Sequence, residues 1–252
     1  MNPVLSRRLC VAVVLSALLI MGWHGPIGQP ADYHQFADTR AWLSLPHAAD
    51  VLSNLGFLLV GLGGIGYMLG RETRLQRGDL GYGLFFLSLM LTAVGSAWYH
   101  LSPDNARLVG DRLPIALACA GLLGAVFCRC HEQLREWVVM GGLVIAAVLS
   151  VAWWRWTDLQ GQGDLRPYLL LQLLPLVLIP LLQAGSGAGR TERQGFALAI
   201  ACYVIAKVCE LADHAILESL AVVSGHTLKH VFATAAAAVL VWVYASTSGE
   251  DS

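Results

Sequence analysis

Four side chains have the types and placement for metal-ion chemistry: His100, Asp111, His226 and His230, each near the end of an apolar run. His226 and His230 lie in Ser224-Gly225-His226-Thr227-Leu228-Lys229-His230, and a spacing of four puts both imidazoles on one helix face. His100 closes another apolar run, with Ser96 one turn before it. Three imidazoles leave a tetrahedral Zn²⁺ one open position, which is the catalytic form of a zinc site. Asp111 has the chemistry of a general base for a water beside such a metal. Its other reading is a helix N-cap, since Asp favours helix starts and Pro114 follows three residues on. Ser96 can hydrogen-bond a ligand or a water at the metal, or bond a backbone carbonyl one turn back.

The elements that must carry these residues are membrane helices. Of 252 residues, 56% are hydrophobic and 13% charged, with mean hydropathy +0.61. A soluble domain carries about 25% charged residues. Eight apolar segments, near 8–24, 47–70, 80–101, 111–129, 135–154, 167–184, 195–217 and 226–246, approach the length that spans a ~30 Å hydrocarbon core. The expected fold is all-α: a seven-helix bundle over residues 31–246, an N-terminal anchor helix within 1–30 and a polar tail at 247–252. Arg7 and Arg8 before the first segment resemble a signal-peptide start. No small-x-small site follows near Met21-Gly22-Trp23-His24, so a retained anchor is expected.

Arginine placement sets the expected orientation. With the N-terminus inside, cytoplasmic loops hold Arg7, Arg8, Arg71, Arg74, Arg77, Arg129, Arg135, Arg190 and Arg193. The opposite side holds Arg40, Arg107, Arg112, Arg155 and Arg166, a ratio of nine to five. His100, Asp111, His226 and His230 then share the outer face. Short loops and the twin arginines suit a bacterial inner membrane.

The remaining polar and reactive groups have quieter expectations. A net charge of −1 gives no indication of nucleic-acid binding. The six cysteines lie in or beside apolar segments without metal or disulfide spacing, and read as small buried apolar residues. Lys207 and Glu210, three apart, can pair on a face that must look into the bundle. That pair is either a packing device or a second polar site. Asp213 and His214 are expected near the outer interface, in solvated roles. His24, His34, His47 and His131 are expected to bind no metal, and Trp153-Trp154-Arg155-Trp156 reads as an interfacial belt with a snorkelling cation.

Four motifs together resemble the alkaline ceramidases. Ser53-Asn54 resembles the Ser-Asn of their first core helix. Gly95-Ser96-Ala97-Trp98-Tyr99-His100 resembles Gly-Ser-x-x-Phe-His, Asp111-Arg112-Leu113-Pro114 resembles Asp-Glu-x-Pro, and His226-x-x-x-His230 resembles their last-helix pair. Order and separation agree over about residues 32–245. Those enzymes belong to a wider superfamily of seven-helix membrane metal hydrolases that includes the adiponectin and progestin receptors. The resemblance implies Zn²⁺ on His100, His226 and His230, with Ser96 and Asp111 beside it. It implies a tyrosine that stabilises an oxyanion, for which Tyr168 is the candidate, its other reading being a belt tyrosine. It also implies a long-chain lipid amide as substrate. Two departures stand out. The acidic segment from Asp32 to Asp50 lacks the Trp-x-Glu of the family's calcium site, which counts against calcium. Lys229 replaces an aromatic residue, which alters headgroup recognition and can attract a phosphate or carboxylate. Protein partners are not indicated. A receptor-like member with structural zinc, a bis-histidine haem carrier and a small transporter using Lys207 and Glu210 remain alternatives.

Overall fold

The computed structural model describes residues 1–72 and 75–248. Arg74 and residues 249–252 of the polar tail lie outside the described residues. The chain is an all-α bundle, with eight helices among the described residues long and apolar enough to cross a membrane. This makes it a multi-pass membrane protein. In chain order the helices are α1 (Pro3–His24), α2 (Ala48–Ser53), α3 (Leu55–Gly70), α4 (Asp79–Leu101) and α5 (Asn105–Cys130). They continue with α6 (Glu136–Asp158), α7 (Arg166–Ser186), α8 (Arg190–Leu211), α9 (Asp213–Leu220) and α10 (Gly225–Thr247). α2 and α3 make one span broken at Asn54, whose amide Nδ2 donates to the Asp50 carbonyl at 2.7 Å. In lipid every backbone group must be satisfied within the segment, which leaves helices as the available form for such apolar runs.

α5 packs between α4, α6 and α7, while α10 lies against α8, α3 and α2. The outward faces carry exposed Leu59, Leu87, Val94, Ile145 and Val208, as a lipid-facing surface should. Inside, Phe86, Phe196, Tyr82, Val243 and Tyr244 form one core cluster; Trp154, Tyr99 and Leu108 anchor another. α1 lies along α7, where Ser6 Oγ donates to the Leu181 carbonyl at 2.6 Å.

α4 and α5 approach at backbone distance. A Cβ on Gly95 would lie 2.0 Å from the Gly110 carbonyl oxygen, and one on Gly81 would lie 2.5 Å from that of Gly121. Glycine at these crossings lets two helices touch through their peptide groups.

α5 begins six residues before Asp111. Asp104 is its N-cap, accepting from the Arg107 amide at 2.7 Å, so the capping reading of Asp111 is corrected. Pro114 is likewise inside the helix rather than in its first turn. The aromatic-belt reading is corrected at one position. Trp153 and Trp156 are exposed, but Trp154 is fully buried. The cysteines are all free, with Cys128 and Cys209 buried and the others half-buried.

Candidate metal centre

His100 ends α4, while His226 and His230 open α10. The fold brings all three together, buried, with one ligand atom from each within 4.8 Å of the others. Ring centroids are 4.8, 5.3 and 4.9 Å apart. Among the described residues this is the one group of three or more histidine, cysteine or acidic side chains arranged to hold a metal ion.

The nitrogens are spaced as ligands of one metal ion can be. His226 Nε2 and His100 Nε2 are 3.2 Å apart. Two Zn–N bonds of about 2.05 Å at the tetrahedral angle set their nitrogens about 3.3 Å apart. Hydrogen bonding also fixes the tautomer of His230. Ser53 Oγ donates its single proton to the Asp50 carbonyl at 3.0 Å and lies 2.7 Å from His230 Nδ1. The hydroxyl must therefore accept from Nδ1–H, which leaves the Nε2 lone pair free for a cation. Ser53 thus has a definite orienting role.

The opening of α10 is locked from three sides. Ser224 is its N-cap, accepting from the Thr227 amide at 3.0 Å. Asp50 Oδ1 accepts from Thr227 Oγ1 at 2.6 Å. Asp213 receives the His226 amide at 2.7 Å on one oxygen and the Ala37 amide at 2.9 Å on the other. Asp213 is therefore a buried clamp, which corrects the solvated role expected from sequence. Gly225 permits the close crossing, since a Cβ there would lie 2.1 Å from the Cys209 carbonyl oxygen.

Through Ala37, the same clamp seats Phe36. Its ring lies 4.6 Å from His100 and 4.5 Å from His226, covering both imidazoles. The segment is held further by Arg40, which reaches Asp38 at 2.6 Å and the carbonyls of Ala221 and Val222 at 3.0 and 2.9 Å. Hydrogen bonds from the Arg40 guanidinium hold the Asp38 carboxyl below its ordinary value, against the opposing effect of burial. Asp38 thus already faces a fixed cation.

A cavity of about 780 Å³ opens beside the histidines, walled by His226, His230, Asp111, Ser96 and Tyr168 among others. Asp111 and Ser96 are buried on this wall. Tyr168 is buried on this wall, not at an aromatic belt. The remainder is largely apolar, with Leu89, Ile179, Phe196 and Leu240 facing it. Lys207 and Glu210 pair at 2.7 Å and line the cavity, in keeping with their spacing. Lys229, from the turn between the two α10 histidines, joins them at 2.6 Å from Glu210. His34 bonds Tyr99 and Asn105, at 2.8 Å each, and His24, His47 and His131 face backbone carbonyls. His214 Nε2 faces the Gln35 carbonyl at 3.2 Å.

Asp50, Asp213 and Phe36 were not legible as site residues. Asp213 alone had a local signal: an acid inside an apolar segment, one residue after the break at Ala212.

No protein-family model matches the chain, and no curated protein matches it.

Proposed function

We propose that this protein is a membrane-embedded, zinc-dependent hydrolase that cleaves the amide bond of a long-chain N-acyl lipid, releasing a fatty acid and an amine. The observation that carries this reading is the convergence of three buried imidazoles, two of them on the wall of a largely apolar cavity that also holds a carboxylic acid. The four ordered motifs that resemble those of the alkaline ceramidases support it, and favour an N-acyl lipid as the substrate.

His100, His226 and His230 hold the metal. Zinc, when bound, supplies Lewis acidity and makes water acidic enough to ionise near neutral pH. Asp111 accepts the proton of the attacking water on its carboxylate and returns it to the leaving nitrogen. Ser96, on the same cavity wall, orients that carboxylate. The Tyr168 hydroxyl donates to the carbonyl oxygen as negative charge develops there. The apolar wall takes the acyl chain and excludes water from the reacting bond. The arginine distribution supports a cytoplasmic N-terminus in a bacterial inner membrane, with the metal centre towards the outer face.

Elemental analysis of detergent-purified protein tests the centre. The wild type should carry about one zinc per chain, set by the three-histidine site, and His226→Ala/His230→Ala almost none. Asp111→Asn should keep its zinc and lose about 10²–10⁴-fold in fatty-acid release from N-acyl lipids. Equal, negligible zinc in folded wild type and double variant, neither exposed to chelator, would overturn the proposal.

A further inference from the structure

Arg112 is a charged part of the cavity wall that the hydrolysis above does not use. It follows Asp111 on α5, is 3% exposed, and lines the cavity. Aromatic rings surround its guanidinium: Trp154 at 4.0 Å, Tyr33 at 5.0 Å and Tyr168 at 5.5 Å from ring centroid to Cζ. These rings satisfy the flat faces of the cation. They offer nothing to the N–H groups at its edge. Nε and Nη1 are buried and have no hydrogen-bond partner among the described residues. No carboxylate lies within ion-pairing distance of Arg112 among those residues, its neighbour Asp111 included.

The other charges on the wall are differently placed. Lys207 and Lys229 share Glu210, and both oxygens of Asp213 are taken by backbone amides. Asp32 is solvent-exposed. Arg112 therefore combines a buried positive charge, unused donors and a cavity. A guanidinium so placed is shaped to receive an anion's oxygens. The apolar wall around it requires that the anion be attached to a long hydrocarbon chain.

We propose that Arg112 binds the anionic group of the cavity's ligand, so that the preferred substrate is an anionic amphiphile: an acyl chain bearing a carboxylate or phosphate. This rests on the hydrolase reading only in taking the cavity as the substrate site. It narrows the substrate class from N-acyl lipids in general to acidic ones.

The test is equilibrium binding to the purified full-length protein in detergent, so that it does not depend on turnover. N-palmitoylglycine is compared with the uncharged N-palmitoylethanolamine on wild type, Arg112→Lys and Arg112→Gln. The wild type should prefer the acid by about tenfold or more, as expected for a charge-assisted hydrogen bond. Arg112→Gln should bind the neutral amide as before and lose the preference, while Arg112→Lys should keep part of it. Sodium phosphate and sodium acetate should compete only weakly, because they lack the chain.

Equal affinity of the wild type for both amides would overturn the proposal and leave Arg112 a cation packed among rings. So would a preference that survives Arg112→Gln. Free phosphate or acetate competing as well as the amphiphile would overturn the acyl-chain requirement. The wild-type comparison stands even if Arg112→Gln fails to fold. An Arg112-dependent preference in a protein that carries no zinc would retain this inference while removing the hydrolase reading.

Discussion

The two ends of α4 carry buried polar clusters of opposite character. At the start, Asp79 is fully engaged: Arg71 reaches one oxygen at 2.5 Å, the Gln76 amide the same oxygen at 2.7 Å, and the Tyr244 hydroxyl the other at 2.9 Å. At the far end, roughly 30 Å away along the helix, His100 faces His226 across 3.2 Å and its Nδ1 has no partner among the described residues. α10 joins the same two places, with Tyr244 at one end and the histidine pair at the other. Both clusters are buried in a membrane bundle, where polar groups are expensive. Bonding capacity separates them. The Asp79 carboxylate spends both oxygens within the protein, and the cavity does not open onto it, although the buried Nε of Arg71 has no partner among the described residues. The histidine cluster leaves lone pairs converging beside a cavity. Bonding capacity that faces a cavity, rather than polarity or burial, sets the histidine end apart.

Removing Asp79 gives the sharpest contrast. Asp79→Asn breaks a buried ion pair with Arg71, and such losses cost about 3–5 kcal/mol. Thermal unfolding in detergent should show a large drop in stability, while zinc per surviving folded chain stays unchanged. Loss of zinc at native stability would reverse the assignment of the two ends.

Ser53→Ala should do the opposite. It removes the acceptor that fixes the His230 tautomer, and losing such a partner weakens metal binding by about 10–100-fold. Competition with a chelator would measure this, with unfolding little changed. Unaltered affinity would mean that Ser53 does not orient the ligand.

The smallest effect concerns a cluster that belongs to neither end type. Asp164, in the loop before α7, is opposed by burial but receives hydrogen bonds from Arg166, Trp153 and the Ile27 amide, which hold its carboxyl well below the ordinary range. A group held low when folded contributes stability that is complete above its unfolded value of about 3.9 and fades as pH falls toward the folded one. Asp164→Asn should therefore melt lower than wild type at pH 7, with the gap narrowing below about pH 4. A gap that widens in acid would contradict the assigned sign.

Much of this was legible in the sequence. The apolar runs mark all eight spans, and the i, i+4 histidines face one way because a helix requires it. What escaped was set by contacts between distant segments. Asp104 and Asp111 are both plausible caps, and the extra helical turns before Asp111 decide between them. Trp154 sits among belt-like tryptophans, yet its helix turns it inward against Arg112. Asp213 binds the amides of His226 and Ala37, and Phe36 covers two imidazoles, through long-range placements that carry no local signature.

The Gly95–Gly110 crossing has a consequence for how this centre can vary. It sits within a few residues of Ser96 and His100 on one helix and of Asp111 on the other. The gap between acid and metal ligands is thus measured out by two peptide groups in contact. A spacer made of main chain offers no intermediate sizes: one added methyl is already too thick. Changes among the lining side chains can redraw the pocket, but the separation of the acid from the histidines stays set by the main chain.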